Sequence, residues 1–143
     1  MSACDFVVAA EGTKIGYPET RRGLVAGLVM TFLRRQLRER DMRELLLGGE
    51  LINAKRALEM GLVNRVVPAE EVMNEALNFA DSVLQGAPNA VLQTKLMIEE
   101  LWSTSVKEDL ERALKHHMQA RGSAEAREGI VAFNEKRKPN WTK

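Results

Sequence analysis

The chain has 143 residues, 45% apolar and 29% charged, the make-up of one globular domain rather than a disordered tail. A net charge of +1, and no apolar run near the roughly 20 residues of a membrane span, give no general reason to expect nucleic acid or a bilayer as partner. The single cysteine, Cys4, excludes an intramolecular disulfide; with no signal-like segment between Met1 and Ala10, a cytoplasmic location is expected.

The first element is strand-like. Phe6-Val7-Val8-Ala9-Ala10 is a continuous apolar run, as in a strand covered on both faces. Glu11-Gly12-Thr13 reads as a turn, and Lys14 to Tyr17 as a second short strand ended by Pro18. From about Val25 the period becomes helical: Val25, Leu28, Val29, Phe32 and Leu33 share one face. Asp41 to Leu47 forms a second helix, stopped by Gly48-Gly49. Asn53 is placed to cap a short helix that ends near Met60, with Gly61 just past its end. Leu62 to Val67 is strand-like and stops at Pro68.

Longer helices follow. Ala69 to Leu84 carries Val72, Ala76, Leu77, Ala80, Val83 and Leu84 on one side. Pro88 opens a helix running to about Trp102. Val106 to Ala120 turns Leu110, Ala113, Leu114 and either His117 or Met118 inward, and Gly122 stops it. Ser123 caps a last helix through about Lys136, with Glu125 and Glu128 near its start and Lys136, Arg137 and Lys138 near its end. Two or three short strands make no stable sheet by themselves, so the strands are expected to be completed by other sequence.

The candidate chemistry is sparse. Glu19 follows Pro18 between a strand and a helix, where α/β folds place functional groups, although a loop carboxylate is ordinarily just solvated. Gly23 and Gly27 bracket the entry to the first helix, as turn and packing residues or as part of a helix N-terminus that holds a water or an anion. His116 and His117 point about 100° apart on a helix and have no third ligand at metal spacing; no metal is expected, and one ring should be half-buried. Cys4 has no partner that would make it a nucleophile and reads as a buried thiol. Arg21, Arg22, Arg34, Arg35, Arg38 and Arg40 form a basic run diluted by Glu39, Asp41 and Glu44, so a solvated helix face is preferred to nucleic-acid binding. Phe133 with Lys136, Arg137 and Lys138 could stack on a base and pair with a phosphate, or could be a core ring on a dipole-matched helix end.

The order of these features resembles one family. Cys4 to Ala9, then Gly16-Tyr17-Pro18-Glu19 and Arg22-Gly23-Leu24, is similar to the strand and Pro-Glu stretch of the enoyl-CoA hydratase/isomerase (crotonase) family. Leu46 to Ala54, with Ala57 and Gly61 to Pro68, resembles its most recognisable segment. Ala87-Pro88-Asn89-Ala90 with Lys95 fits the next helix, and Glu128 to Phe133 with Glu135 to Pro139 resembles its C-terminal signature. The resemblance implies an α/β crotonase-like fold of the ClpP/crotonase superfamily, here mostly its helical C-terminal half with a few short strands. Residues 1–68 would end the core, and 69–143 would form a helical oligomerisation region.

The resemblance also implies chemistry. Members bind acyl-CoA thioesters and stabilise a thioester enolate with two backbone N–H groups. The second hydratase glutamate falls on Glu19, and the glycine that helps hold the water falls on Gly27. Phe133 and Lys136 fall on residues that help bind the CoA adenine and phosphate, often across a subunit boundary. No separate cofactor is implied, since CoA belongs to the substrate. Homotrimers, or hexamers of two trimers, are implied. The chain departs from the family at Ala26 and at Leu28-Val29-Met30, where a Pro and a Gly-Gly pair are usual. The first hydratase glutamate and both oxyanion donors would precede Met1. The isolated chain is therefore expected to be nearly inert, needing a separate N-terminal half. The alternative is a non-catalytic helical interaction module derived from the same fold.

Overall fold

With few aromatics available, leucine and alanine close the core. The computed structural model describes residues 1–100, 105–137 and 139–140, so the expectations for Trp102 and Lys138 lie outside the described residues. Leu33 on helix α1 (Gly27–Gln36) and Leu45 on α2 (Glu39–Gly48) are fully buried. Around them pack Ala54, Ala57 and Met60 of α3 (Ala54–Met60), and Leu62 and Val63 just beyond it.

Local punctuation fixes these elements. The Asn53 Oδ1 accepts the Arg56 N–H at 2.8 Å, which caps α3. Gly61 closes the helix in the left-handed region at φ 85°, and Gly49 closes α2 the same way at φ 59°. Asp41 is buried on α2, and its charge is matched by Arg38 at 2.7 Å and Arg56 at 3.2 Å.

The strands form two small pairs. β1 (Val8–Ala10) runs parallel to β4 (Arg65–Val67), with Val8 opposite Arg65. β2 (Lys14–Ile15) runs antiparallel to β3 (Ile52–Asn53), with Lys14 opposite Asn53. Both strands are shorter than the apolar runs that suggested them. Phe6 lies outside β1, exposed and stacked on Phe79 at 4.8 Å; only Ala9 of the strand is buried. Leu62 and Val63 are buried but precede β4. Cys4 is exposed, not buried, because the chain before Val7 lies at the surface.

α6 (Val106–Arg121) packs along α1, and α7 (Ala124–Asn134) returns to the turn at Thr20–Arg22. Ser123 caps α7 as expected, its Oγ accepting the Ala126 N–H at 3.0 Å. Leu110, Ala113 and His117 are half-buried, whereas Leu114 and Met118 are exposed. His116 is exposed, so the two rings diverge as the helical geometry requires.

One expected face is covered only in part and another is largely uncovered. On the expected α1 face Leu33 is fully buried and Val29 and Phe32 are half-buried, whereas Val25 and Leu28 are exposed; α1 also buries Gly27 and Thr31, where α6 approaches. α4 (Val72–Leu84) begins after a 3-10 turn at Ala69–Glu71 and buries no residue fully; Leu77 and Leu84 are exposed. α5 (Pro88–Glu100) likewise exposes Leu92, Leu96, Met97 and Ile98. No helix among the described residues is long and apolar enough to cross a membrane.

Core and uncovered positions should respond differently to truncation. Leu33→Ala is expected to cost about 2–5 kcal/mol of unfolding free energy. Leu77→Ala, at 54% exposure, should cost under about 0.5 kcal/mol in dilute protein. Urea titrations measure both; equal losses would mean that the α4 face is covered in solution.

Candidate active site

β2 ends at Ile15, and beyond Pro18 the chain turns into a short 3-10 helix, Thr20–Arg22, with Glu19 at its start. The Glu19 carbonyl accepts the N–H groups of Arg22 and Leu24, both at 2.9 Å, which locks the turn internally. The turn is also tied to the end of α2. Thr20 Oγ1 donates to the Leu46 carbonyl at 3.2 Å. Arg21 Nε donates to the Gly48 carbonyl at 2.9 Å, and its guanidinium pairs with Glu50 at 2.9 Å. Thr20 and Arg21 thus each serve a carbonyl that the end of α2 leaves without a helical partner.

On its other side the turn meets α7 backbone to backbone. A Cβ on Gly129 would lie 2.1 Å from the Arg22 carbonyl oxygen, and one on Gly23 would lie 2.4 Å from that of Glu125. Gly23 also sits at φ 69°, which favours glycine. Only glycines permit this approach.

Glu19 is held within this frame. Its Oε2 is buried and has no hydrogen-bond partner among the described residues. Buried carboxylate oxygens are normally satisfied, so this atom is the polar group that the fold leaves for something else. Two residues earlier, Tyr17 donates to or accepts from Ser2 Oγ at 2.7 Å. Burial pushes the Tyr17 phenol above its ordinary range; the Ser2 hydrogen bond opposes this, and the nearby negative charge of Glu19 adds to it. Tyr17 lines an open groove of about 570 Å³ with Ile15, Leu28, Val29, Phe32 and Leu51. The exposed part of α1 thus becomes the wall of an apolar groove at Tyr17, two residues before Glu19 in the chain.

Gly27 begins α1 and faces α6, where a Cβ would lie 2.9 Å from the Ala113 carbonyl oxygen. It lines a separate cleft of about 230 Å³ with Thr31, Arg34, Asp109, Arg112 and His116. Asp109 is buried there and paired with Arg34 at 3.3 Å. The His117 Nδ1 lies 3.2 Å from the Val25 carbonyl, so α6 also holds the loop that enters α1.

The C-terminal candidates reach the same turn. Phe133 is 59% exposed rather than in the core, and the Arg22 guanidinium lies over its ring, 4.4 Å from the centroid. α7 ends at Asn134, before the expected Lys136. Lys136 adopts φ 55°, a left-handed conformation that costs a non-glycine residue roughly 1–2 kcal/mol. Arg137 then folds back on Glu128 at 2.7 and 3.1 Å and on Glu135 at 2.7 Å. Glu128 is therefore engaged by the tail rather than by the start of its helix. The basic run is largely neutralised within the chain: Arg21, Arg34, Arg35 and Arg38 each pair with a carboxylate. The Arg22–Phe133 contact had no sequence signal, since it joins residues more than a hundred positions apart.

With this geometry in place, comparison with known proteins is decisive. The enoyl-CoA hydratase/isomerase family model matches residues 1–143. The chain belongs to that family.

Its relatives bear on substrate class. A Thermus thermophilus protein provisionally named an enoyl-CoA hydratase is 36% identical over 139 residues, 97% of this chain and 55% of that one. A carnitinyl-CoA dehydratase of Proteus mirabilis is 33% identical over 145 residues, again covering 97% and 55%. Among solved structures, a carnitinyl-CoA hydratase from Mycobacterium avium superposes with a TM-score of 0.88 at 35% identity, covering 99% of this chain and 56% of that one. An enoyl-CoA hydratase/isomerase from Pseudoalteromonas atlantica gives 0.89 at 31% identity, covering 99% and 57%. The chain spans about half the length of the curated relatives it matches. The fold is the crotonase-like α/β fold, seen here mainly in its helical part.

Two outcomes follow for this family member. Gly129→Ala should cost about 1–3 kcal/mol in urea unfolding, because the backbone of the Glu19 turn must move aside. Glu128 should titrate at about 2, held down by the Arg137 guanidinium and by the Asn140 N–H at 2.8 Å. A folded value below the ordinary one of 4.5 stabilises the tail above that pH and is lost as pH falls towards 2. NMR titration of Glu128 checks the midpoint, and Glu128→Gln should remove this part of the acid response.

Proposed function

We propose that the chain is an acyl-CoA-binding part of a crotonase-family enzyme whose reaction is hydration of a 2-enoyl-CoA, with Glu19 exchanging the proton. The unpartnered, buried Oε2 of Glu19 carries this reading. Hydration places a proton on Cα of the thioester and a hydroxyl on Cβ. A positioned carboxyl can take a proton from the attacking water or give one to the enolate. The groove lined by Tyr17, two residues before that carboxyl in the chain, is apolar enough to take an acyl chain. Relatives named as enoyl-CoA hydratase and carnitinyl-CoA dehydratase support the substrate class.

Gly27 is assigned to water holding on the family pattern, at the N-terminal end of α1. Phe133 and Lys136 are assigned to the adenine and phosphate of CoA. The reading needs no cofactor beyond the substrate's own CoA, and places the protein in the cytoplasm. It assigns the enolate-stabilising N–H groups to sequence outside residues 1–143. Double-bond isomerisation by a single carboxyl is the variant reaction of the same site.

A second reading, a non-catalytic helical interaction module, is favoured by one observation: α4 and α5 expose Leu77, Leu84, Leu92, Leu96, Met97 and Ile98. In the enzyme reading the same faces join copies of the chain into a trimer or hexamer.

Crotonyl-CoA hydration by the chain alone, and by the chain with a supplied N-terminal half, separates the readings. The chain alone should be nearly inert, since loss of even one oxyanion donor costs about 10²–10³ in rate. The pair should turn over, and Glu19→Gln should lower its kcat about 10²–10⁴-fold. Near-normal turnover of that variant removes Glu19 from the role; an inert pair favours the module.

A further inference from the structure

The geometry points to Arg22 as the phosphate-binding cation of the platform formed with Phe133 and Lys136, a role that rests on the acyl-CoA reading above. The observations are independent of Glu19's chemistry. Arg21 and Arg137, the cations next to Arg22 and Lys136 in the chain, are both held by carboxylates. Among the described residues Arg22 has no carboxylate partner, and its guanidinium is instead spread over an exposed phenyl ring at 4.4 Å. A guanidinium held in this way keeps its planar fork of donors available for a phosphate.

The platform is rigid where it needs to be. The Arg22 N–H is bonded to the Glu19 carbonyl at 2.9 Å, and the Arg22 carbonyl is seated on Gly129. Phe133 lies one turn further along the same helix as Gly129. Lys136 follows in a left-handed turn, its N–H bonded to the Phe133 carbonyl at 3.2 Å. One exposed ring with two cations that, among the described residues, have no carboxylate partner suits a purine bearing a phosphate. The base stacks on an aromatic face and the phosphate takes the charged donors. Arg22 is three residues from Glu19 on one locked turn, so occupancy of the nucleotide end also bears on the acid/base loop.

The test is calorimetric titration of coenzyme A, and separately of adenosine, into the 143-residue chain and two variants. Arg22→Gln is expected to weaken coenzyme A binding about tenfold or more while changing adenosine binding less than about twofold. Arg22→Lys, which keeps the charge but loses the fork, should bind coenzyme A severalfold more weakly than the unmutated chain, and carries the test should the glutamine variant fail to fold. Unchanged coenzyme A affinity in either variant overturns the assignment. So do equal losses for coenzyme A and adenosine, which would leave Arg22 only as a support for Phe133. No coenzyme A binding by the unmutated chain overturns it as well. The hydration assay with Glu19→Gln bears on the acid/base role alone, so the two ideas fail separately.

Discussion

The backbone contact between the Glu19 turn and α7 is the constraint on which the rest of the site depends. Two glycines, Gly23 and Gly129, let the turn and the helix approach closer than any side chain allows. Arg21 and Thr20 then tie the opposite side of the turn to the end of α2. Glu19 thus starts a turn fixed between two helices that are far apart in sequence, and its buried Oε2 has no hydrogen-bond partner among the described residues. A carboxyl kept this way is preorganised, since the fold rather than a ligand meets the cost of leaving it unpaired.

Local rules made much of this legible in the sequence. The Asn53 and Ser123 caps and the Gly49 and Gly61 stops are short-range chemistry, and they sit where the residues put them. Glu19 stands out only as a loop carboxylate; the turn that follows it is seated on α7, which the residues around it do not encode. The same limit explains the misses. Cys4 reads as a small apolar residue but lies on a surface segment. The stripe from Val25 to Leu33 buries Leu33 as its period requires, yet a period does not say how far a neighbour extends, and Val25 and Leu28 stay exposed. Phe133 is the reverse case, an aromatic ring left outside because a cation rather than the core receives it.

The uncovered helices show what a single chain of this family does with its apolar surface. α4 keeps its period of leucine, valine and alanine without a fully buried position, and α5 contacts the first half through the Arg35–Glu99 and Lys95–Asp5 ion pairs. The Lys95–Asp5 pair is exposed on both sides and contributes little, whereas the Arg35 side chain is only 8% exposed; neither α4 nor α5 has a fully buried position. The stability of the chain is therefore uneven, concentrated around Leu33 and Leu45 and falling towards the second half.

The pairing of β1 with β4 closes a loop of some 57 residues, from Val8 to Arg65, around α1, α2 and α3. Chain closure over that length costs about 3–4 kcal/mol in entropy, and three residue pairs of parallel strand return little of it. The loop stays closed because the helices inside it are packed. These few strand hydrogen bonds are thus a latch rather than a scaffold. Their amides report on the core they enclose, and they should open to solvent exchange whenever that core loosens, well before the capped helices themselves unwind.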